Sequence, residues 1–189
     1  MLKHFDHLTI VVRDIQRARV FFGVLGFKEA TSVIISGEPF ATYMGVPNIK
    51  ADHITLVLEN VSPRTEIQLL HYQEPNPVPD PNIRDLHKIG MNHICFAVDD
   101  IEAEVAKLRA NGFKTRNEIM DFHSRKLVFI DGPEGITVEL AEWRHDDRAR
   151  SLKVARPPLR LGPAVSVRIV LDVAGCSAKP CASAKILSA

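Results

Sequence analysis

Two stretches of the chain share one pattern of hydrophobic and polar positions. In the first, Leu8, Ile10 and Val12 alternate with polar or small residues, and an alternation of this kind predicts a strand with one apolar face. An aspartate suited to cap a helix follows at Asp14, apolar residues then recur at helical spacing, and Gly26 ends the segment. The pattern therefore predicts a strand followed by a helix that covers the strand's apolar face.

The same unit returns 86 residues later without a gap, so that His7, Asp14 and Gly26 correspond to His93, Asp100 and Gly112. Val12, Ile15, Phe27 and Lys28 also have identical counterparts at this interval. A match of this length indicates an internal duplication. The chain is therefore expected to contain two copies of one module.

Further strand-like runs separated by turn residues complete each module. The first module is predicted to span residues 4–74, and the second spans residues 91–143. A proline-rich linker, residues 75–90, joins them, and together they form one domain over residues 1–143. The runs are 31–36, 52–59 and 65–72 in the first module and 115–119, 125–130 and 136–143 in the second.

Residues 144–189 differ in charge from the rest of the chain. They hold nine Lys and Arg against three Asp and Glu, a net charge of +6, and the whole-chain value of +1 leaves −5 for residues 1–143. This basic extension lacks interleaved aromatic residues, so no nucleic-acid partner is expected. An alternating run at residues 164–173 could form an extra strand or remain disordered.

The remaining composition is that of an ordinary globular domain, with 46% hydrophobic and 25% charged residues. No apolar run is long enough to span a membrane, and the first residues lack the apolar stretch of a signal peptide. Three cysteines do not make a disulfide framework in a chain of this length. We therefore expect a cytoplasmic protein with no membrane partner.

Four polar side chains are expected on the faces that the helices leave uncovered. Strand alternation places His7 and His93 there from the first strands, and Gln68 and Glu139 from the last strands of the two modules. Two imidazoles, an amide oxygen and a carboxylate are suitable ligands for a divalent metal ion. Gln68 could instead hydrogen-bond a substrate, with Glu66 on the same face as a second carboxylate.

The motifs HLTIVVRD, HICFAVDD, IQLL and DGPEGITVEL, with the GF that closes each helix, resemble the vicinal oxygen chelate superfamily of glyoxalases, epimerases, extradiol dioxygenases and bleomycin and fosfomycin resistance proteins. The resemblance covers residues 4–143. It implies an α+β fold of tandem βαβββ modules that form a cupped, barrel-like mixed sheet with helices outside. It also implies a homodimer and metal ligands at His7, Gln68, His93 and Glu139.

The favoured function is that of a metal-dependent lyase or isomerase of glyoxalase or epimerase type, which transfers a proton next to a metal-bound carbonyl of a small substrate. Glu139 is the expected base, and Glu66 is a second candidate. The metal could be Zn, Ni, Co, Mn or Fe. The predicted substrate-binding residues are Thr9, Cys95, Arg125 and Lys126.

Two alternatives remain open at this point. An extradiol-type dioxygenase would use His7, His93 and Glu139 for iron, although Phe129 stands where the resemblance implies a tyrosine. A metal-free binding or resistance protein of bleomycin-resistance type would sequester a ligand in the cavity. A two-base epimerase is less favoured, because the stretch from Tyr43 to Val46 contains no acid where the resemblance implies a glutamate.

Overall fold

The computed structural model describes residues 1–144, and residues 145–189, including the run at 164–173, lie outside the described part. No helix within residues 1–144 has the length and hydropathy needed to cross a membrane. The first module contains β1 (His7–Val11), α1 (Ile15–Val24), β2 (Phe27–Ser36), α2 (Phe40–Met44), β3 (Lys50–Leu58) and β4 (Thr65–Glu74). The second contains β5 (Ile94–Val98), α3 (Ile101–Ala110), β6 (Met120–Phe122), β7 (Arg125–Asp131), a 3-10 turn (Pro133–Gly135) and β8 (Thr137–Trp143).

Each module builds its own four-stranded sheet, in the order β1-β4-β3-β2 and β5-β8-β7-β6. The first and last strands of each module pair in parallel, and the other neighbours are antiparallel, so both sheets are mixed. The predicted α+β class and the two βαβββ modules are confirmed. The two sheets are separate, however, and do not close into a barrel.

The helices begin and end where the sequence predicts. The Asp14 side chain accepts a hydrogen bond from the Arg17 amide, and Asp100 does the same for the Ala103 amide. Gly26 and Gly112 follow the two helices with φ values of 93° and 79°, a left-handed conformation that an L side chain disfavours. The repeated Asp and Gly therefore fix the length of both helices.

One hydrophobic core joins the two modules. It contains the apolar faces of both sheets together with buried residues of α1 and α3. The Phe21 ring meets the Phe113 ring edge to face at 5.0 Å, and Phe27 meets Phe96 at 5.7 Å, so aromatic contacts cross from one module to the other. The modules thus pack through their helix-covered sides, and the faces that begin with His7 and His93 are left open.

A carboxylate from the second module also holds the first. Glu134 accepts hydrogen bonds from the amides of Arg13 and Asp14 at 2.8 and 3.1 Å, and from the Arg13 guanidinium at 3.1 Å. Burial opposes ionisation of Glu134, but these hydrogen bonds outweigh it and lower the pKa of the carboxyl. The 3-10 turn is therefore tied to the start of α1.

Two local predictions differ from the structure. The strand predicted at 115–119 is wrong, because that segment makes one bridge between Thr115 and Ile130, and the strand itself is Met120–Phe122. Asn117 replaces part of the backbone pairing, since its Oδ1 accepts from the Phe129 amide at 2.9 Å. The short helix α2 (Phe40–Met44) lies in a segment where the sequence indicated only turns.

Candidate metal centre

Both predicted histidine ligands are oriented by the residue before them. His7 Nδ1 lies 2.7 Å from Asp6 Oδ2, and His93 Nδ1 lies 2.7 Å from Asn92 Oδ1. Each of these oxygens can only accept, so each Nδ1 carries the proton. The hydrogen bond from His7 lowers the pKa of Asp6. The Nε2 atom of each ring therefore points away from this partner, as it does where an outer-shell acceptor orients a metal-binding histidine.

In the second module, His93 faces Glu139 directly. His93 Nε2 lies 3.1 Å from Glu139 Oε2, and the Glu139 side chain is 12% exposed. With Nδ1 donating to Asn92, Nε2 and the carboxylate oxygen each direct a lone pair toward the other. Two such atoms at this distance require a cation between them, either a proton or a metal ion.

Cys95 stands beside the same carboxylate, since Cys95 and Glu139 are register partners on parallel strands. Burial, together with the hydrogen bond and negative charge of Glu139, raises the pKa of the Cys95 thiol to about 12. The sulfur is therefore a neutral thiol that donates toward Glu139. Thr9 occupies the equivalent position in the first module, 86 residues earlier.

In the first module, Gln68 is held by three neighbours. Its Oε1 accepts from Thr9 Oγ1 at 3.3 Å and lies 3.1 Å from His53 Nε2, while its amide nitrogen donates to Glu66 at 3.4 Å. Glu66 also forms an ion pair with Arg64. The network fixes the amide oxygen of Gln68 as the acceptor of the group, which is the atom that a metal ion would need.

His53 was not predicted from the sequence, although strand alternation could have indicated it. It lies on β3 two residues before Thr55, and Thr55 is the register partner of Gln68. Alternate residues of a strand share a face, so a histidine here faces the same cavity as Gln68. It adds a second imidazole beside His7 in the cavity of the first sheet.

The four predicted ligands form two separate pairs within the chain. His7 and Gln68 line a cavity of about 290 Å³ in the first sheet, and Glu139 lines another of about 160 Å³ in the second. Within residues 1–144, only Asp100, Glu102 and Glu142 form a group of three or more acidic, histidine or cysteine ligands within 4.8 Å of one another. His7 therefore does not lie close to His93 and Glu139 within one chain. The two modules pack through their helix-covered sides, which keeps the open faces apart.

Arg125 and Lys126, two of the predicted substrate-binding residues, are neighbours on β7 and point to opposite faces of its sheet. The Arg125 guanidinium stacks over the Trp143 ring, with its carbon 4.5 Å from the ring centroid. Lys126 points to the other side of β7, where its Nζ lies 2.7 Å from Glu102 and 3.6 Å from Glu142. The hydrogen bond from Glu102 raises the pKa of Lys126. Lys126 therefore serves the helix side of the sheet.

Two βαβββ sheets that each carry a histidine and an amide or carboxylate oxygen on the open face match a known class of protein. A sequence profile of the Glyoxalase/Bleomycin resistance protein/Dioxygenase superfamily matches residues 6–129. The chain belongs to this superfamily, which confirms the resemblance found in its motifs.

Two curated relatives are named as enzymes, a lyase and an epimerase. The lactoylglutathione lyase of Schizosaccharomyces pombe is 27% identical over 74% of this chain. That match spans 45% of the yeast enzyme, so this chain corresponds to about half of that relative's length. The mitochondrial methylmalonyl-CoA epimerase of Bos taurus is 28% identical, over 75% of each chain.

Solved structures show the same fold. A glyoxalase family protein from Bacillus cereus is 25% identical, with a TM-score of 0.70 over 76% of this chain and 96% of that protein. A fosfomycin resistance protein from Listeria monocytogenes, solved with Mn(II) and sulfate, is 14% identical, with a TM-score of 0.51 over 79% of this chain and 99% of that one. The second likeness concerns the fold alone, and its bound manganese shows that this fold can hold a divalent metal ion.

Proposed function

We propose that this protein is a divalent-metal-dependent lyase or isomerase of glyoxalase or epimerase type, which moves a proton beside the carbonyl group of a small molecule. The observation that carries the proposal is the matched orientation of His7 and His93. The Nδ1 of each ring donates a hydrogen bond to the preceding side chain, and His93 directs its Nε2 to the Glu139 carboxylate 3.1 Å away. Histidines fixed in this way are typical of metal sites.

The residues fit a divalent ion by their chemistry. His7, Gln68, His93 and Glu139 would hold it, and they supply two neutral imidazoles, one neutral amide oxygen and one negative charge. When bound, the metal would polarise the substrate carbonyl and stabilise negative charge on its oxygen. Zn, Ni, Co, Mn and Fe are all compatible with this donor set.

We further propose that each complete site forms between two copies of the chain. One copy would supply His7 and Gln68, and the second copy would supply His93 and Glu139. The proposal is supported by the shared core, which joins the modules through their helix-covered sides and leaves both half-sites open. Two-fold symmetry would then create two equivalent sites in a homodimer.

Glu139 is the proposed proton acceptor. Its carboxylate is largely buried on β8, opposite Phe129 in register, and the Cys95 thiol donates to it. The apolar residues around this carboxylate would exclude water from it. Glu139 could then accept a proton from the carbon next to the substrate carbonyl. In the first module, Gln68 cannot accept a proton, and Glu66, the second candidate base, is held by Arg64 and by the Gln68 amide. We therefore assign binding and orientation to the first module and proton acceptance to Glu139 in the second.

The direct test is the metal content of protein purified without added metal and then reloaded. We expect about one divalent ion per chain, as two sites in a dimer require. Glu139→Gln and Gln68→Ala should each weaken retention, while Glu118→Gln, on an exposed loop, should not. Loaded protein would then be screened with 2-oxoaldehyde hemithioacetals and acyl thioesters.

Other outcomes would replace the proposal. Absence of metal after reloading would favour a binding protein that sequesters a small molecule. Iron retained without help from Gln68, with oxygen uptake on adding a catechol, would favour a dioxygenase. The cytoplasmic location expected from the sequence stays a prediction, which cell fractionation would test.

A further inference from the structure

The cavity of the first half-site continues from the predicted ligands to an apolar wall. His7, Gln68 and Thr9 lie on its floor, and α2 stands over it. A molecule bound at His7 and Gln68 must therefore lie against this wall. The other lining residues are Ile35, Phe40, Tyr43, Met44, His53 and Leu70.

A small buried apolar cluster anchors the wall of this cavity. Ile35, Ile49, Ala51 and Leu70 form a small buried core beneath α2, and Ala41, Val46 and Tyr72 pack against it. Despite this anchoring, Phe40, Tyr43 and Met44 remain 39%, 84% and 36% exposed. Large apolar side chains on a fixed helix above a ligand cavity indicate a surface that an apolar ligand covers.

Among residues 1–144, no Asp, Glu, Lys or Arg lines this cavity. In the second half-site, Glu139 is the only charged residue within the described range 1–144 that lines the cavity, and the other lining residues are Asn117, Met120, Phe122, Leu127, Val128 and Phe129. In the part of the chain that the structure describes, no arginine lines either cavity. Arg64 is paired with Glu66, and Arg125 stacks on Trp143, although its charge still acts on Cys95. Carboxylates or phosphates of an anionic carrier would need free cationic partners in such a site.

We propose that the substrate is an uncharged carbonyl compound whose apolar body, of the size of a substituted aromatic ring, is seated under α2. This inference rests on the proposed metal site, and it predicts that conjugates of an anionic carrier such as glutathione or coenzyme A bind less tightly than uncharged compounds. The cavity of about 290 Å³ exceeds the ~150 Å³ that holds a benzene molecule in an engineered protein core. The volume therefore accommodates one ring with substituents.

Hydroxamic acids test this inference because they bind divalent metals through two neighbouring oxygens, whatever body they carry. The full chain, loaded with metal, would be titrated by calorimetry with acetohydroxamic, benzohydroxamic and 4-carboxybenzohydroxamic acid. We expect the phenyl group to tighten binding by about tenfold or more, since burying an aromatic ring contributes strongly. The added carboxylate should reverse that gain.

Phe40→Ala and Tyr43→Ala should abolish the phenyl gain and leave acetohydroxamate binding unchanged. Ile34→Ala is the matched control, because Ile34 is an exposed apolar residue on the other face of β2. If acetohydroxamate binds the loaded protein but the phenyl group adds nothing, or the carboxylate binds as tightly, this inference is wrong and the metal site stands. If the chain retains no metal, the proposed function fails and the inference fails with it.

Discussion

Mixing two variants that each fail to retain metal would show whether the metal site forms between chains. His7→Ala removes a ligand from the first half-site, and His93→Ala removes one from the second. Alone, each homodimer would carry two damaged sites and lose metal. In a mixed dimer assembled as proposed, both damaged halves meet in one site, and the other site receives intact halves from both chains.

The expected recovery follows from the counting of dimers. Random exchange between equal amounts of the two variants makes half of the dimers mixed, and each mixed dimer has one intact site of two, so metal content should return to about one quarter of the wild-type value. If the site formed within one chain, every chain would keep its own damaged ligand and nothing would return. Metal content after mixing therefore distinguishes a site between chains, which recovers about one quarter, from a site within one chain, which recovers none.

The assay is metal retention after unfolding and refolding the variants together, measured by elemental analysis and normalised to protein. His7→Ala mixed with Gln68→Ala is the control, because both changes damage the same half-site and no mixed dimer gains an intact one. Native mass spectrometry would verify that mixed dimers form. Mixed dimers of His7→Ala and His93→Ala without recovered metal would refute assembly between chains.

Three further predictions concern single side chains. Asp6→Ala and Asn92→Ala should each weaken metal affinity by about 10- to 100-fold, the usual effect of losing a partner that orients a ligand, as measured by competition with a chelating dye. His53→Ala should release Gln68 and weaken metal affinity by about tenfold, while His53→Gln, which keeps a donor, should retain it in the same titration. Glu134→Ala should cost about 2 kcal/mol in urea unfolding at neutral pH, because it leaves two backbone amides and Arg13 without their acceptor, while Glu118→Ala, which is fully exposed, should change little. Folding lowers the pKa of Glu134, so this stabilisation is fully present above its unfolded pKa of about 4.3. It disappears as the pH falls through the lower pKa of the folded protein. At acidic pH, Glu134→Ala and the wild type should therefore unfold at the same urea concentration.

Much of the fold could be predicted because local patterns and long-range packing agree. The alternation from Leu8 to Val12 exists because one face of β1 packs on a helix, and the Asp and Gly residues that bound α1 and α3 act within a few residues of themselves. Which side chains share an open face follows from the pleat alone. The pleat therefore predicts that Gln68 and Thr9 share the open face of the first sheet, and that Glu139 and Cys95 share that of the second.

The separation of the ligands into two pairs could not be predicted in the same way. Strand alternation states which face a residue occupies, but it does not state whether two modules meet through their open faces or their covered ones. That choice depends on contacts between distant apolar residues, such as Phe21 with Phe113. The positions of Lys126 and Glu134 were missed for a similar reason, because their partners lie on other elements.

The departure of the two modules from perfect repetition indicates where the site is specialised. The interval between equivalent residues is 86 from Gly26 to Gly112, but it is 74 from Thr55 to Phe129, which are the register partners of Gln68 and Glu139. The first module therefore holds 12 additional residues between its helix and β3, and α2 lies in this interval. Duplication supplied two equivalent open faces, each with a histidine and an oxygen atom predicted to bind the metal. The added segment made them unequal, because it places Phe40, Tyr43 and Met44 over the half-site of Gln68 and leaves the carboxylate of Glu139 to the other module. Binding of the substrate body and acceptance of the proton would thus belong to different modules, and a complete site requires both.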